Sequence, residues 1–404
     1  MKKKISPQSD YYSKTSLNTT QVSLSTKEEW ENHRNKRCNL YIKKLNLPQI
    51  IWKNSQVLEI GPSSGENALV WAHESAKFTF IEPCEHLSKQ LLANFKTFKL
   101  ENQIVHLYKK NLEEFNIDKT FDIIIAEGFL YCLENRNEEL QKIMSLVSPG
   151  GLLIFSTLDP FGNFLEHLKI VYCREISKRN NCTSNSDIMD IAKKIFHEDF
   201  KKLSHSRSFE AFAYDTFLSP YHGTSDYWGF EEISNNFENN DFFFYSSWPN
   251  YIESDDLTWH KVVLTKSFDD LRIDYRRRIP NFLFGGKGNA MMDLEWTEKR
   301  GKRFGELLLK LQSFFVKKIN TPDNSDTNCI EELKELKKLT HILWKKDDIK
   351  RKTFQEIEEL YNALLDNNKK YNGEEMIEIY ESSQHIRNTW GMPYHYLVWH
   401  KKWS

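Results

Sequence analysis

The residues best suited to chemistry form one short stretch of the chain and a single acid that follows it. The apolar run Gln56–Ile60 is bounded by turn signals and predicts a buried strand. It leads into Gly61-Pro62-Ser63-Ser64-Gly65, and Glu66 begins a predicted helix. The next predicted strand ends at Glu82. This order predicts a nucleotide-binding half-site, in which the turn permits close approach and the acid accepts hydrogen bonds from both ribose hydroxyls.

The turn also bears on which nucleotide would fit. A dinucleotide turn has the pattern G-x-G-x-x-G, because a pyrophosphate must lie at the N-terminus of the helix. Here Ser63 occupies the third position, and the carboxylate of Glu66 at the helix start would repel a pyrophosphate. We therefore expect a ligand without phosphate groups, such as a nucleoside that carries an amino-acid tail.

The same five residues match a second motif, the G-x-S-x-G nucleophile elbow of serine hydrolases. That elbow needs Ser63 exposed above a sheet, with a triad acid and a histidine later in the chain. Here the motif follows the first predicted strand, and Glu82 comes too early to be the triad acid. A hydrolase using Ser63 remains a minor alternative.

At these residues the chain resembles the class I S-adenosylmethionine-dependent methyltransferases, over about residues 50–265. Their first motif is similar to Val57–Gly65, and their second ends in an acid, as at Glu82. The resemblance continues through three later segments: Gln103–Tyr108 followed by Asn111-Leu112, Phe121–Gly128, and Ser148–Ser156. Ser63 departs from the glycine that is commoner at the middle of the first motif.

The resemblance implies S-adenosyl-L-methionine as cofactor and assigns its contacts. Gly61, Ser63 and Gly65 would allow close approach, Glu82 would bind the ribose, and Asn111 and Leu112 would face the adenine. Glu59 would orient the turn or meet the amino group of the methionine part. Glu127 would contact the methionine part or the methyl acceptor. The simpler interpretation gives these residues only structural roles, in a turn, in a cap or at the start of a loop.

Methyl transfer needs few catalytic residues, because the cofactor carries both the electrophile and the leaving group. His222, in an aromatic segment after the fifth predicted strand, is a candidate general base, and Glu127 is a second catalytic candidate. Tyr214, Asp215, Tyr221 and His222 are candidates for binding the acceptor. An ordinary loop histidine is the plainer interpretation of His222. No metal site is predicted.

These motifs require an α/β fold with a doubly wound, mostly parallel, Rossmann-like sheet, since strand and helix signals alternate over residues 50–160. We expect a flexible N-terminal arm at 1–25 and a methyltransferase domain at 26–267, with an acceptor-cap insertion at about 161–235. The strands Phe242–Ser247 and His260–Leu264 would complete the sheet as an antiparallel edge pair. A mainly helical C-terminal extension would follow at 268–404, ending in a docked aromatic tail that is a candidate edge strand.

The N-terminal part of this domain predicts a helix from Thr26 to about Lys44, with Ser25 or Thr26 as N-cap. In the resembled family such a helix often covers the cofactor, so Trp30 or Arg37 could line the site. The preferred interpretation is packing for Trp30 and a surface charge for Arg37. The arginines at 276–278 are a candidate phosphate or carboxylate site, with a solvated charge run preferred.

Composition excludes several classes of protein. The net charge of −1 gives no reason to expect bulk attraction to nucleic acid or an acidic membrane, and no apolar run is long enough to span a membrane. Six scattered cysteines predict reduced thiols in a cytoplasmic protein. The predicted acceptor is a small molecule or a sugar-containing metabolite, methylated at O, N or C. RNA or protein acceptors, and a non-catalytic S-adenosylmethionine-binding module, are the alternatives; the oligomeric state is not predicted.

Overall fold

The computed structural model describes Tyr11 and residues 22–182, 184–203, 207–219, 228–252, 267–284, 298–320, 329–344, 347–366 and 370–403. Contacts between Cα atoms divide the chain into two compact units. The first unit comprises Met1–Thr157, Gly229–Phe268 and His395–Ser404, and the second comprises Leu158–Trp228 and Asp269–Tyr394.

The strands of the described residues are β1 Gln56–Ile60, β2 Lys77–Ile81, β3 Ile104–Tyr108, β4 Phe121–Ala126, β5 Val147–Leu158, β6 Phe242–Trp248 and β7 Tyr394–Lys401. The α-helices are α1 Lys27–Cys38, α2 Glu66–Ala72, α3 Glu85–Thr97, α4 Arg136–Ser145, α5 Phe164–Arg179, α6 Asn185–Lys201, α7 Phe209–Ala213, α8 Phe230–Asn235, α9 Phe268–Phe284, α10 Glu298–Asn320, α11 Ile330–Leu343, α12 Asp348–Leu365 and α13 Gly373–Ser382. Wider π-helical turns, Asn39–Lys44 and Tyr214–Leu218, continue α1 and α7.

The strands form one sheet in the order β3-β2-β1-β4-β5-β7-β6. Strands β1 to β5 pair in parallel wherever they are neighbours. Helices α2, α3 and α4 lie in three of the four connections, and residues 109–120 join β3 to β4 through turns. This confirms the predicted doubly wound fold. The nearly continuous apolar runs of β1, β2 and β4 fit this position, since a strand of a parallel sheet is covered on both faces.

The C-terminal aromatic tail forms β7, which lies between β5 and β6 and pairs with β6 in antiparallel orientation. The expectation of an edge strand for this tail was therefore wrong, because β7 has a neighbour on each side. Trp399 is fully buried, and its ring stacks on Phe237 at 3.8 Å between centroids. The predicted strand His260–Leu264 lies outside the described residues.

In the first unit, α1 begins at the predicted N-cap. Thr26 and Glu29 form a capping box, in which each side chain bonds the backbone N–H of the other residue. Trp30 packs on His73 and Phe98, as the packing interpretation predicted. His33 Nε2 lies 3.1 Å from the carbonyl oxygen of Glu66 and so ties α1 to the start of α2.

The second unit is helical, and α5 is its central helix. Thirteen of the sixteen residues of α5 are buried, and the helix contacts α6, α10 and α13. A helix that is covered on nearly all sides must also bury its polar residues, and here these include Glu166, His167 and Lys169.

Within the C-terminal part of the second unit, α11 and α12 are separate helices. Trp344 ends α11 in a turn, and its buried ring packs on Phe284, Phe304 and Phe354. All six cysteines lie in the described part of the chain, and none of them forms a disulfide bond. Among the described residues, every helix is either too short or too polar to cross a membrane.

Candidate functional site

The ends of three neighbouring strands bring the motif residues together. The register pairs Ile60 of β1 with Ile81 of β2 and with Ala126 of β4. The residues that follow these three, Gly61, Glu82 and Glu127, therefore lie at the same edge of the sheet. This is the carboxyl edge, where open parallel sheets bind their ligands.

The turn after β1 has a left-handed backbone at three positions, with φ of 68° at Gly61, 55° at Ser63 and 80° at Gly65. At Gly65 a Cβ atom would lie 2.8 Å from Cγ of Leu91, so only glycine fits there. A left-handed backbone of this kind is typical of tight turns and of places where a backbone approaches a ligand closely.

Glu82 is buried and holds this turn in place. Its Oε2 accepts a hydrogen bond from the backbone N–H of Ser63 at 3.0 Å, and its Oε1 accepts one from Cys84 at 2.9 Å. Burial raises the pKa of Glu82 to about 7, while these backbone hydrogen bonds oppose the shift. One carboxylate therefore joins the turn after β1 to the turn after β2.

Glu59, near the end of β1, is buried, and its Oε2 has no hydrogen-bond partner among the described residues. Burial raises the pKa of Glu59 to about 8; the charge of Glu127 adds to the shift and that of Arg37 opposes it. A buried carboxylate oxygen without a donor costs free energy. It is suited to receive the ammonium group of a ligand.

A third acid, Glu127, accepts hydrogen bonds from α1 and from its π-helical continuation. Arg37 donates two hydrogen bonds to the carboxylate, at 2.7 and 3.1 Å, and Tyr41 donates a third. Burial acts to lower the pKa of Arg37, but Glu127, Tyr41 and Tyr396 together raise this pKa above its ordinary value. The surface-charge interpretation of Arg37 was wrong, because the fold places residue 37 against the end of β4.

This site contains two residues that the sequence analysis did not name, Tyr41 and Tyr396. Burial raises the pKa of the Tyr396 hydroxyl in β7; the charge of Glu127 adds to the shift and that of Arg37 opposes it, so Tyr396 lies near both groups. The spacing of Arg37 and Tyr41, one helical turn apart, was a usable signal that both face the same neighbour. Tyr396 carried no comparable signal.

The other predicted cofactor residues are also described. Asn111 is half-buried and Leu112 is buried in the turns after β3. Glu127 is followed by Gly128, whose N–H donates to Ser156 Oγ at 2.8 Å, and by Phe129, whose ring packs against Gly61.

The predicted acceptor residues belong to the second unit. Tyr214 and Asp215 lie in the π-helical turn after α7, and Asp215 accepts a hydrogen bond from Arg207 at 2.8 Å. Tyr221 and His222 lie outside the described residues. Arg276, in the arginine run of α9, donates to Glu298 at 2.7 Å.

The residues of the first unit fit a nucleoside with an amino-acid tail. The turn has a left-handed backbone, Glu82 lies beside it and could accept hydrogen bonds from ribose hydroxyls, and the oxygen of Glu59 that lacks a donor among the described residues is suited to an ammonium group. The guanidinium of Arg37 carries a positive charge that could bind the carboxylate of the amino-acid tail.

Residues 30–243 match the family described as a methyltransferase domain. A curated relative, the tRNA U34 carboxymethyltransferase of Idiomarina loihiensis, is 30% identical over 105 residues, which are 26% of this chain and 32% of that protein. The chain thus spans about a third of the length of this relative.

Two solved structures are also similar in part. The N-methyltransferase NodS from Bradyrhizobium japonicum, in complex with S-adenosyl-L-homocysteine, is 20% identical over 34% of this chain and 65% of its own, with a TM-score of 0.27. PKMT2 from Rickettsia typhi is 17% identical over 53% of this chain and 44% of its own, with a TM-score of 0.38. At these identities and scores the likeness supports no inference about activity.

Proposed function

Since the chain belongs to the family of S-adenosylmethionine-dependent methyltransferase domains, we propose that it transfers a methyl group to a small-molecule or sugar-containing acceptor. This proposal rests on three groups that lie at one edge of the sheet. They are Glu59, the turn at Ser63 together with Glu82, and the pair formed by Arg37 and Glu127. The cofactor supplies a sulfonium methyl group, which is transferred by in-line displacement.

Each residue of the site binds a different part of the cofactor. The turn Gly61–Gly65 approaches it, Glu82 accepts hydrogen bonds from the ribose, and Asn111 and Leu112 adjoin the adenine. Glu59 takes the ammonium group of the methionine part, and Arg37 takes its carboxylate. Glu127 positions Arg37 through the two hydrogen bonds described above.

The acceptor is bound by Tyr214, Asp215, Tyr221 and His222, with His222 as general base where the acceptor atom carries a proton. Aromatic residues interleaved with polar ones suit stacking on a ring or a sugar face. The methyl group goes to O, N or C of this acceptor.

An RNA acceptor is the second candidate. The observation that favours it is the partial identity to a protein described as a tRNA U34 carboxymethyltransferase. A net charge of −1 speaks against a large nucleic-acid surface. Methylation of a radiolabelled tRNA pool under conditions where small acceptors remain unmodified would favour RNA.

The test is calorimetric titration with S-adenosylhomocysteine. We expect micromolar binding by the wild-type protein and a loss of about 100-fold in Glu82→Ala, because both ribose hydrogen bonds and the support of the Ser63 turn are lost. Glu82→Gln keeps one acceptor oxygen and should retain part of the affinity.

Glu85→Ala removes a neighbouring exposed acid and is the matched control, with unchanged affinity expected. Failure of the folded wild-type protein to bind would overturn the proposal. Labelling of Ser63 by a fluorophosphonate would then point to the hydrolase alternative.

A further inference from the structure

The second unit contains a polar pocket of about 270 Å³. The described residues that line it come from two neighbouring helices of this unit, α11 and α12. Lys337 and His341 lie one turn apart on α11, and Asp348, Arg351 and Lys352 lie within about one turn of α12. We call this site the α11–α12 pocket.

The pocket lies in a basic stretch of a chain that is otherwise acidic. Residues 337–355 contain six lysines, one arginine and two aspartates, which gives a net charge of +5. The whole chain has a net charge of −1, so the remaining residues carry −6. Positive charge is therefore concentrated where α11 ends and α12 begins, and it favours the approach of an anion.

Two of the three cations that line the pocket have acidic partners. Nζ of Lys337 donates to Glu358 at 2.6 Å, and Nη2 of Arg351 donates to Asp348. Each of these cations has further N–H groups. Nε of Arg351 is buried and has no hydrogen-bond partner among the described residues.

The third cation, Lys352, is exposed, and in the described part of the chain it forms neither an ion pair nor a hydrogen bond. The same is true there of the exposed imidazole of His341. When Glu358 is counted together with Asp348, three positive charges face two negative ones. The pocket thus has a net charge of +1, with His341 neutral, and an excess of N–H donors over acceptors.

The buried side of the pocket is held by aromatic packing. Phe354 is 4% exposed, and the centroid of its ring lies 5.7 Å from that of Trp344 and 5.9 Å from that of Phe304. Phe354 follows Arg351 and Lys352 within the same helix, so this packing fixes the backbone that carries both cations.

We infer that the α11–α12 pocket binds a phosphate monoester, the phosphate group of a small metabolite. Such a group has a charge close to −2 above its second pKa of about 6, and it has three strong acceptor oxygens. It can accept hydrogen bonds from Arg351, Lys352 and His341 together, and each bond to a cation is charge-assisted.

The size of the pocket also favours a small ester. A volume of about 270 Å³ is below the range of pockets that enclose a drug-sized ligand. A nucleic-acid backbone distributes single charges along a chain of phosphodiesters, and it is usually bound by a wider surface.

This inference goes beyond the proposed function and does not depend on it. The pocket belongs to the second unit, whereas the residues assigned to the cofactor belong to the first. Binding of a phosphate ester can be measured without cofactor, so the two proposals can fail separately.

The experiment is a ligand-observed NMR titration of the full chain at pH 8 with phenyl phosphate, phenyl sulfate and benzyl alcohol. These probes have similar shapes, and their charges are about −2, −1 and 0. We expect phenyl phosphate to bind at least about tenfold more tightly than phenyl sulfate, and benzyl alcohol to bind least.

Lys352→Gln removes one positive charge from an exposed position and should weaken phenyl phosphate binding by about three- to tenfold. Lys201→Gln is the matched control. Lys201 is an exposed lysine of α6 that does not line the pocket, so its substitution should leave the affinity unchanged.

Asp348→Asn tests the inference in the opposite direction. The Asp348 side chain is 69% exposed, and its substitution removes an acid from the pocket and releases Nη2 of Arg351. Phenyl phosphate should then bind about three- to tenfold more tightly. A gain in affinity cannot result from a folding defect.

Equal binding of phenyl phosphate and phenyl sulfate, or one affinity for phenyl phosphate in all variants, would overturn the inference. So would an oligoribonucleotide without terminal phosphates that bound more tightly than phenyl phosphate, because the site would then recognise a nucleic-acid backbone. Titration of the same samples with S-adenosylhomocysteine reports on the first unit, and none of the three substitutions should change that affinity.

Discussion

At the scale of single residues, the site contains acids that are buried, where the charged form of a carboxylate is unfavourable. Glu59 and Glu82 are buried, and their pKa values are raised to about 8 and about 7. Both must be ionised to receive an ammonium group or to accept strong hydrogen bonds from a ribose. Cofactor binding and deprotonation are therefore linked.

This linkage predicts a pH dependence of cofactor affinity. Below its raised pKa each acid is protonated in the free protein, so binding must release protons and tightens as the pH rises. From pH 6 to pH 8 we expect the affinity for S-adenosylhomocysteine to rise at least about tenfold. Calorimetry in buffers of different ionisation enthalpy measures the proton release directly.

Glu59→Gln separates the two acids. At pH 6 to 8 it should bind less tightly and release about one proton fewer than the wild-type protein. An affinity that is constant over this range, or proton release that is unaffected by the substitution, would show that Glu59 does not meet the ammonium group.

Contacts between residues close in the chain could be predicted from the sequence, whereas contacts between distant residues could not. Glu82 and the glycines were predicted because their roles depend on neighbours within about 20 residues of the chain. The pairing of Arg37 with Glu127 joins distant segments, and nothing near residue 37 in the sequence indicates a buried carboxylate partner.

At the scale of elements, the turn between β1 and α2 depends on backbone conformation and on packing against α3. Gly65 has φ of 80° and no room for a Cβ atom beside Leu91. Gly128 also has φ of 80°, but no atom would lie within 4 Å of its added Cβ. Replacing each glycine by alanine therefore distinguishes two effects. Backbone strain arises at both positions, whereas a steric clash arises only at Gly65.

We expect Gly65→Ala to lower the free energy of unfolding by about 2–4 kcal/mol, from left-handed strain and the clash with Leu91 together. Gly128→Ala should lower it by about 1 kcal/mol, from strain alone. Urea denaturation followed by circular dichroism measures both. Equal losses would mean that the contact with Leu91 does not constrain the turn.

At the scale of the whole molecule, the sheet of the first unit is completed by the far end of the chain. Strand β7 lies between β5 and β6, and it also places Tyr396 near Arg37 and Glu127. The family match confirms the resemblance that the motifs of residues 56–156 predicted, although those motifs could not indicate which segment would fill this position.

Trp399 tests this role of β7. It is fully buried, and its ring stacks on Phe237, so Trp399→Ala should lower the free energy of unfolding by about 3–5 kcal/mol. Trp403, two residues beyond the strand, is 78% exposed and serves as the control, with a loss below about 1 kcal/mol. Similar urea midpoints for Trp399→Ala and the wild-type protein would show that β7 contributes little to the sheet.

The sequence by itself determined the five parallel strands, the glycine-containing turn at Gly61–Gly65 and the acid that follows β2. These follow from hydrophobic periodicity and turn chemistry, which act between residues close in the chain. Tertiary structure alone decided that Arg37 is buried against Glu127, that Glu166 lies in a helix covered on nearly all sides, and that β7 is an inner strand. Each of these depends on which distant segments pack together, and that choice arises from the burial of the whole core rather than from any local pattern.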